Sequence, residues 1–599
     1  MPGRRLDRYD LCAIAILTFG TLLRLVLIAL SWPGSYNDEG TMGLMAFDVA
    51  YRGAHPLLYY GQDYMGSLEA YLGAGFFHLF GPSTFALRLG LIILFALFLL
   101  CMYLLISRLY SKSLALFSLL LLSLGAPDVI FRQLMAAAGP PDYLFFTTLL
   151  LLLTVWLAFS ANPARQKPEE NNSAMLAKKS KRLPWYRVLA YGAWGGTAGV
   201  ALWSHLLCLP FVLVAGFLLV LFCRRELRLP SLSLLVLCFL IGLSPFLIYK
   251  ATVPVSPNEN TLFSPGGYRE PSYPSLNGLS NTQATISPHG VPPRPIQQVM
   301  GTLLVAVPLI TNGNALCPIT EVNAWPLSEQ SNTTTLFCTG IHGIWGMGYV
   351  VLLGIATVTA TRRFWKYWRT LPSYESAYSS EQRHEAIRQS GRLMILTGTG
   401  LTLLAFMLYP QASAVTPWTS ARYLIGLLIA IPAVLAPLWE KKYSAKTLHT
   451  LTAHLKATGR YGVLLLILGT SLVGTITIFT QQVSPAQASF RREQTLIQSL
   501  LHMGATRVYM EYDDCNRITF LSNEQIICAA LDKGLRPGLD RYFPYRAIVA
   551  QAAQPFYVLQ EGSIQSLFFE QVAIKERITY KEFHSSGYTI YEPEVRITP

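Results

Sequence analysis

Asp38 and Glu39 stand side by side in the stretch SWPGSYNDEGTM, residues 31–42, directly after the apolar run Leu11–Leu30. Two carboxylates displayed where a membrane-like helix ends are either solvated loop charges or groups that act on something held at the membrane surface. In the second case one carboxylate can deprotonate an incoming hydroxyl while a second shapes the site. Asp142, in AAGPPDYLFF at the start of another apolar run, is a further acidic candidate, with a helix N-cap as its plain alternative. Three arginines complement the acids: Arg24 inside the first apolar run, Arg88 near the start of the second, and Arg422 opening the run RYLIGLL. A charge near the bilayer centre costs at least about 2.5–3.5 kcal/mol, so such residues are usually paired or functional. A guanidinium fork suits phosphate, whereas an interfacial arginine with no other role snorkels. His205, in ALWSHLLCLP, reads either as a donor to a phosphate or sugar or as a structural residue beside Trp203.

The elements that must carry these residues are membrane helices. Only 13% of the 599 residues are charged and 52% are hydrophobic, against about 25% charged in a soluble domain. About eleven apolar runs are long enough to read as spans: 11–30, 84–106, 113–127, 143–160, 187–203, 206–222, 231–249, 343–361, 392–409, 421–438 and 461–480. The first lacks a small-x-small cleavage site and reads as a retained helix. The net charge of +14 is no nucleic-acid signal, because Lys and Arg cluster in alternate loops. RRLDR, RLYSK, KKSKR, CRRELR, TRRFWKYWR and EKK carry them, which is the positive-inside pattern and predicts a cytoplasmic N-terminus. The outer segments are then 31–83, 128–142, 250–342, 410–420 and everything after 481.

Within the first outer loop, TMGLMAFDVAYRG predicts an amphipathic helix ending at Gly53, and the stretch up to GPS at 81–83 predicts a second. PIQQVMGTLLVAVPLI is too short to span and reads as an interfacial or re-entrant helix. The 161–186 loop is polar and reads as mobile; the Pro- and Ser-rich 251–295 stretch reads as a lid-like loop or a plain linker. After 487 the texture changes to short β-like runs, RVYMEY, RITFLS, QIICAA, FYVLQ and TIYEP, with EQTLIQSLLHMG as a helix. The expectation is a mainly α, polytopic membrane unit over 1–485 and a small extracytoplasmic α/β unit over 486–599. The nine cysteines contain no CxxC; Cys317 and Cys338, and Cys515 and Cys528, fall outside and are either disulfides or free thiols.

In order and on one membrane side, these features resemble the GT-C superfamily of membrane glycosyltransferases. The resemblance rests on the DE that follows a first helix containing Leu23–Leu25 (LRL) and on GPSTFALRL entering the second helix. Asp142–Leu144 and the RYL of Arg422–Leu424 fit the same pattern. Protein O-mannosyltransferases (glycosyltransferase family 39) and lipid A aminoarabinose transferases are relatives of that kind. The likeness covers about 1–440, and the tail resembles the soluble domain many members carry. It implies an inverting enzyme of the cell (plasma or inner) membrane that glycosylates envelope acceptors. The sugar would come from a polyprenyl-phosphate lipid and go to a hydroxyl of a protein, lipid or polysaccharide, on the outer face.

The resemblance implies Asp38 as base, Asp142 as second acid and Arg422 as phosphate ligand; the reading of the residues themselves adds Glu39 as a neighbour or metal contact. Arg88, Arg24 and His205 join the phosphate side. No cofactor is fixed by this, a divalent cation remaining an open option. No P-loop or GxGxxG precedes a helix, in keeping with a lipid-phosphate rather than a nucleotide leaving group. A transporter or flippase of lipid-linked sugars is the main rival, although no internal repeat of the transporter kind is evident. A receptor or assembly factor working through the tail is a third reading.

Overall fold

The computed structural model describes residues 7–137, 139–161, 183–253, 294–319, 333–369, 380–439 and 451–594. Most of the 161–186 loop and all but the ends of the 251–295 stretch lie outside the described residues, as do KKSKR and EKK.

Every expected apolar run is helical over most of its length. Among the described residues, eight helices are long and apolar enough to cross a membrane, and ten if each of two bent pairs counts as one span. The chain is a multi-pass membrane protein. The expected span at 187–203 is the helix Trp185–Ser204, which is not among those ten. Its glycines lower its hydropathy for a packing reason: a Cβ on Gly195 would collide with the Leu235 carbonyl, and one on Gly199 with the Phe239 carbonyl. Small residues let it lie against the helix Leu229–Thr252 backbone to backbone.

The run expected at 113–127 is not one straight span. Helix α5 (Lys112–Ser123) stops, Leu124–Ala126 are non-helical, and α6 (Pro127–Leu134) departs at 83°. A break inside the membrane leaves backbone groups that must find internal partners. Arg24, from α1 (Arg8–Ala29), supplies several. Its guanidinium donates to the carbonyls of Ser123 and Leu122 and to Gln133 Oε1 at 2.7 Å, and it stacks 4.2 Å from the Phe95 ring centroid. Asn312 Oδ1 accepts from Ala126 N at 2.7 Å, and Thr475 Oγ1 accepts from Gly125 N at 3.1 Å. A second bend of 73° separates Pro417–Leu424 from Leu427–Trp439, just after Arg422.

The segment 31–83 folds as its sequence predicts, with α2 (Asn37–Arg52) closed by Gly53 in the left-handed conformation and α3 (Leu68–Phe80) closed by Gly81. The short apolar run forms the helix Pro295–Ile310.

The last long helix, Thr458–His502, leaves the bundle and enters the C-terminal unit without stopping. There a five-stranded sheet has the order β2-β1-β3-β5-β4. The strands are β1 (Arg507–Glu511), β2 (Ile527–Leu531), β3 (Phe556–Gln560), β4 (Tyr580–Ser585) and β5 (Tyr588–Pro593). β2, β1 and β3 run parallel, and β4–β5 is an antiparallel hairpin whose turn residues Ser586 and Gly587 both have positive φ, as a tight hairpin turn requires. Alternation in β1 sends Val508 and Met510 to the core shared with Leu496 and Leu500, and Tyr509 to the opposite core with Phe569 and Tyr591.

RITFLS is not a strand. It is the second half of the helix Tyr512–Leu521, where Cys515, Ile518 and Thr519 share a buried face at helical spacing. Cys515–Cys528 ties that helix to β2, and Cys317–Cys338 is also bonded, with Cα separations of 5.4 and 5.3 Å.

That helix docks the C-terminal unit onto α2. A Cβ on Gly40 would sit 2.6 Å from Arg517 N, and one on Gly43 2.6 Å from the Phe520 ring. Asn516 seals the contact, its N–H donating to Asn37 Oδ1 at 2.7 Å and its Nδ2 to Thr41 Oγ1 at 2.9 Å. Gly40→Leu should therefore undock the unit at a cost of about 1–3 kcal/mol or more. Limited proteolysis would show faster release of the C-terminal fragment, with the membrane helices still protected.

Candidate active site

Asp38 and Glu39 occupy the first turn of α2, where the helix dipole favours carboxylates. Their neighbours separate them completely. Glu39 is fully buried and meets Arg88 of α4 (Thr84–Leu109) as a bidentate pair, Nε–Oε1 2.7 Å and Nη2–Oε2 2.6 Å. Arg88 Nη1 donates to the Pro33 carbonyl at 2.8 Å, and Ala136 N donates to Glu39 Oε1 at 3.3 Å. This knot joins α2, α4, the segment after α1 and the segment after α6.

Asp38 faces the C-terminal unit. Its Oδ1 accepts from Tyr512 Oη at 2.8 Å and from Arg541 Nε at 3.0 Å. Arg541 Nε also donates to Tyr512 Oη at 2.8 Å, and the guanidinium lies 5.5 Å from the Tyr59 ring centroid. The Gln62 amide oxygen accepts from Arg541 Nη1 and Nη2 at 2.7 and 2.9 Å. Tyr59 Oη donates to the backbone carbonyl of Asp38 at 2.8 Å. Burial alone would raise the Asp38 pKa; the charges of Arg541 and Arg422, with the Tyr512 and Arg541 hydrogen bonds, hold it below the usual carboxylate value.

Arg422 borders a cavity of about 50 Å³ whose wall also includes Tyr36, Arg132, Gly139, Tyr143 and His205. Its guanidinium sits 5.3 Å from the Tyr423 ring centroid, and its Nε is buried with no hydrogen-bond partner among the described residues. Arg132 Nη2 donates to the Trp418 carbonyl at 3.2 Å. His205 Nδ1 accepts from Leu207 N at 3.3 Å, so the neutral ring carries its proton on Nε2. Gly139, with φ of 140°, lies so close that a Cβ there would come 3.2 Å from that Nε2. The cavity is thus walled by two guanidiniums and an imidazole N–H, a donor set suited to an anion.

Asp142 is neither the N-cap of its helix, which is Gly139, nor a hydrogen-bonded neighbour of Asp38 among the described residues. It sits in the first turn of α7 (Pro140–Ser160), accepts from Ser204 Oγ at 2.8 Å through Oδ2, and keeps Oδ1 buried without a partner among the described residues.

The expected three-arginine pocket is therefore not what the fold builds. Of Arg24, Arg88 and Arg422, only Arg422 lines the cavity near Asp38. Arg24 is consumed by the broken span and Arg88 by Glu39, since buried charges are held by whatever partner compensates their desolvation. Arg88 also borders a separate cavity of about 220 Å³, with Ser35, Phe85, Phe490 and Gln494. Both Glu39 oxygens accept from Arg88. Among the described residues no three His, Cys, Asp or Glu side chains gather to hold an ion. Sequence reasoning missed Arg132, Tyr512 and Arg541. The basic residue in α6 was readable, but nothing local to 512 or 541 points to a site 470 or more positions upstream.

Residues 67–168 match the family model of dolichyl-phosphate-mannose-protein mannosyltransferase, which bears out the resemblance to GT-C membrane glycosyltransferases. No curated protein matches the chain in sequence. Among solved structures, the oligosaccharyltransferase AglB from Archaeoglobus fulgidus, in complex with an inhibitory peptide and a dolichol-phosphate, is 12% identical with a TM-score of 0.42. The alignment covers 97% of this chain and 74% of that one. ArnT from Cupriavidus metallidurans aligns over 97% of both chains, in the apo state at 12% identity and TM-score 0.40, and bound to undecaprenyl phosphate at 11% and 0.41. These are loose likenesses, all below a TM-score of 0.5.

Proposed function

From the mannosyltransferase match of residues 67–168 as premise, we propose that this chain transfers a sugar from a polyprenyl-phosphate carrier to an acceptor hydroxyl. The transfer takes place at the outer face of the membrane, with the N-terminus in the cytoplasm and the C-terminal unit outside. The observation that carries the reading is a partly exposed carboxylate, Asp38, paired with Arg541 and within the reach of the Arg422 charge, while Arg422 itself walls a cavity together with Arg132 and His205. Inverting attack needs a base behind the acceptor and positive charge beside the departing phosphate. Asp38 takes the acceptor proton as the hydroxyl oxygen bonds to the anomeric carbon. The bond from that carbon to the phosphate oxygen breaks, and Arg422 with Arg132 neutralises the lipid phosphate that leaves. His205 donates through Nε2 to the same phosphate or to the sugar, and Asp142, one oxygen unpartnered, holds a hydroxyl of donor or acceptor.

The test is transfer of labelled sugar from a panel of polyprenyl-phosphate sugars into acceptors of a membrane extract by the full chain. Loss of transfer in Asp38→Asn supports the reading, and equal transfer in both proteins removes Asp38 from it. Movement of donor across vesicle bilayers without any transfer supports a flippase instead. Arg422→Ala should raise KM for the donor about 10–100-fold, the loss of roughly 1.5–3 kcal/mol of charge-assisted hydrogen bonding. Steady-state kinetics with the lipid donor varied would show it, with Arg422→Lys recovering only part because the fork is lost.

A further inference from the structure

Asp38 is held asymmetrically. Oδ1 accepts from two donors, Tyr512 Oη and Arg541 Nε, both contributed by the C-terminal unit. Oδ2 accepts from no described residue, and the side chain keeps 17% of its surface exposed. The donors are themselves fixed. Tyr512 begins the helix that the Cys515–Cys528 bond ties to β2 and that packs on Gly40 and Gly43. Arg541 is held by Gln62, by Tyr512 and by the Tyr59 ring. A carboxylate with one oxygen clamped has one rotamer and one oxygen left for chemistry.

We propose that Arg541 and Tyr512 are positioning residues for Asp38, clamping Oδ1 so that Oδ2 takes the acceptor's proton. The C-terminal unit thereby completes a site whose acid and phosphate ligands lie in the membrane unit. The inference rests on the reading of Asp38 as the base. Clamping also fixes the charge of the acid. The groups around Asp38 are Glu39 on its own helix, already neutralised by Arg88, Tyr36 just before it and Tyr59 on the following loop. Tyr512 and Asp513 face it from the docking helix, Arg541 from the loop after β2, and Arg422 from the bent span. Among the described residues Arg541 is the one cation in hydrogen-bond contact with it, and without Arg541 only the Arg422 charge and the Tyr512 hydrogen bond still oppose the effect of burial, which favours the protonated acid. A base works only when ionised, so the Arg541→Ala enzyme should fail from the acid side.

The experiment is infrared titration of the full-length protein in detergent, taking the difference between each form and its Asp38→Asn counterpart, alongside pH–rate profiles. In Arg541→Ala the Asp38 carboxylate band should appear at a pH at least about one unit higher than in wild type. The acid limb of kcat should move by the same amount, with KM for the donor little changed. Tyr512→Phe should shift both in the same direction by less, and Arg541→Lys should restore most of the limb. The lysine and phenylalanine variants carry the test if the alanine variant does not fold. An unmoved carboxylate titration overturns the proposal, as does a rate loss uniform in pH that lysine does not rescue. Undiminished transfer by Asp38→Asn, with the titration shifted as expected, would instead overturn the base assignment and leave the clamp intact.

Discussion

Asp38→Asn is expected to lower kcat by about 10²–10⁴-fold, the range that a lost general base commands, while leaving the amount and melting temperature of the protein close to wild type. The second half of that expectation follows from the geometry. Asn keeps an oxygen where Oδ1 accepts from Tyr512 and Arg541, and the backbone carbonyl still takes the Tyr59 hydrogen bond. The helix Tyr512–Leu521 also docks through Gly40, Gly43, Asn37 and Thr41, contacts that Asn at position 38 leaves in place. Labelled-sugar transfer and thermal unfolding, measured on the same preparation, separate chemistry from folding. A variant that unfolds would mean that Asp38 is chiefly an anchor for the C-terminal unit.

Glu39 should behave in the opposite way, although it is the adjacent residue. Glu39→Gln or Arg88→Met leaves one charge buried without its partner, a loss of about 3–5 kcal/mol when a buried pair is broken from one side. Both atoms of the Arg88 fork and both Glu39 oxygens are engaged, and the two side chains are 2% and 0% exposed. The expected result is a strongly reduced yield and melting temperature for either single variant. The Glu39→Gln plus Arg88→Met double variant should recover part of the stability, because neither charge is then stranded. An Arg88→Met protein that is stable but no longer binds lipid phosphate would return Arg88 to the phosphate site.

The membrane helices and the two helices of residues 31–83 were legible because each is written locally. Apolar length marks a span, and Gly53 and Gly81 mark helix ends that no side chain needs to signal twice. The break at Leu124–Ala126 was less legible, since its cause is split between Pro127 and three distant partners, Arg24, Asn312 and Thr475. The arginines show the same limit. Charge inside a span announces that a partner exists, but Arg24 and Arg88 find theirs in protein backbone and in Glu39, which sequence spacing does not encode. RITFLS misled because β-branched and aromatic residues over six positions fit a strand as well as a helix, and the Cys515 bond and the α2 groove decide the matter. The C-terminal half of the site was invisible for the plainest reason. Arg541 is one surface-type residue among many until the fold lays it over Asp38.

The helix Thr458–His502 sets a height. Its 45 residues amount to about 68 Å of rod, against about 30 Å for a bilayer core, so this one mast reaches from the bundle to the sheet. The sheet sits on that mast at one elevation and one compass heading, and Arg541 meets Asp38 only there. A residue added to the rod would lift the sheet by about 1.5 Å and swing it by about 100°, carrying Arg541 away from Asp38. The registry of a helix that touches neither carboxylate therefore belongs to the specification of the site.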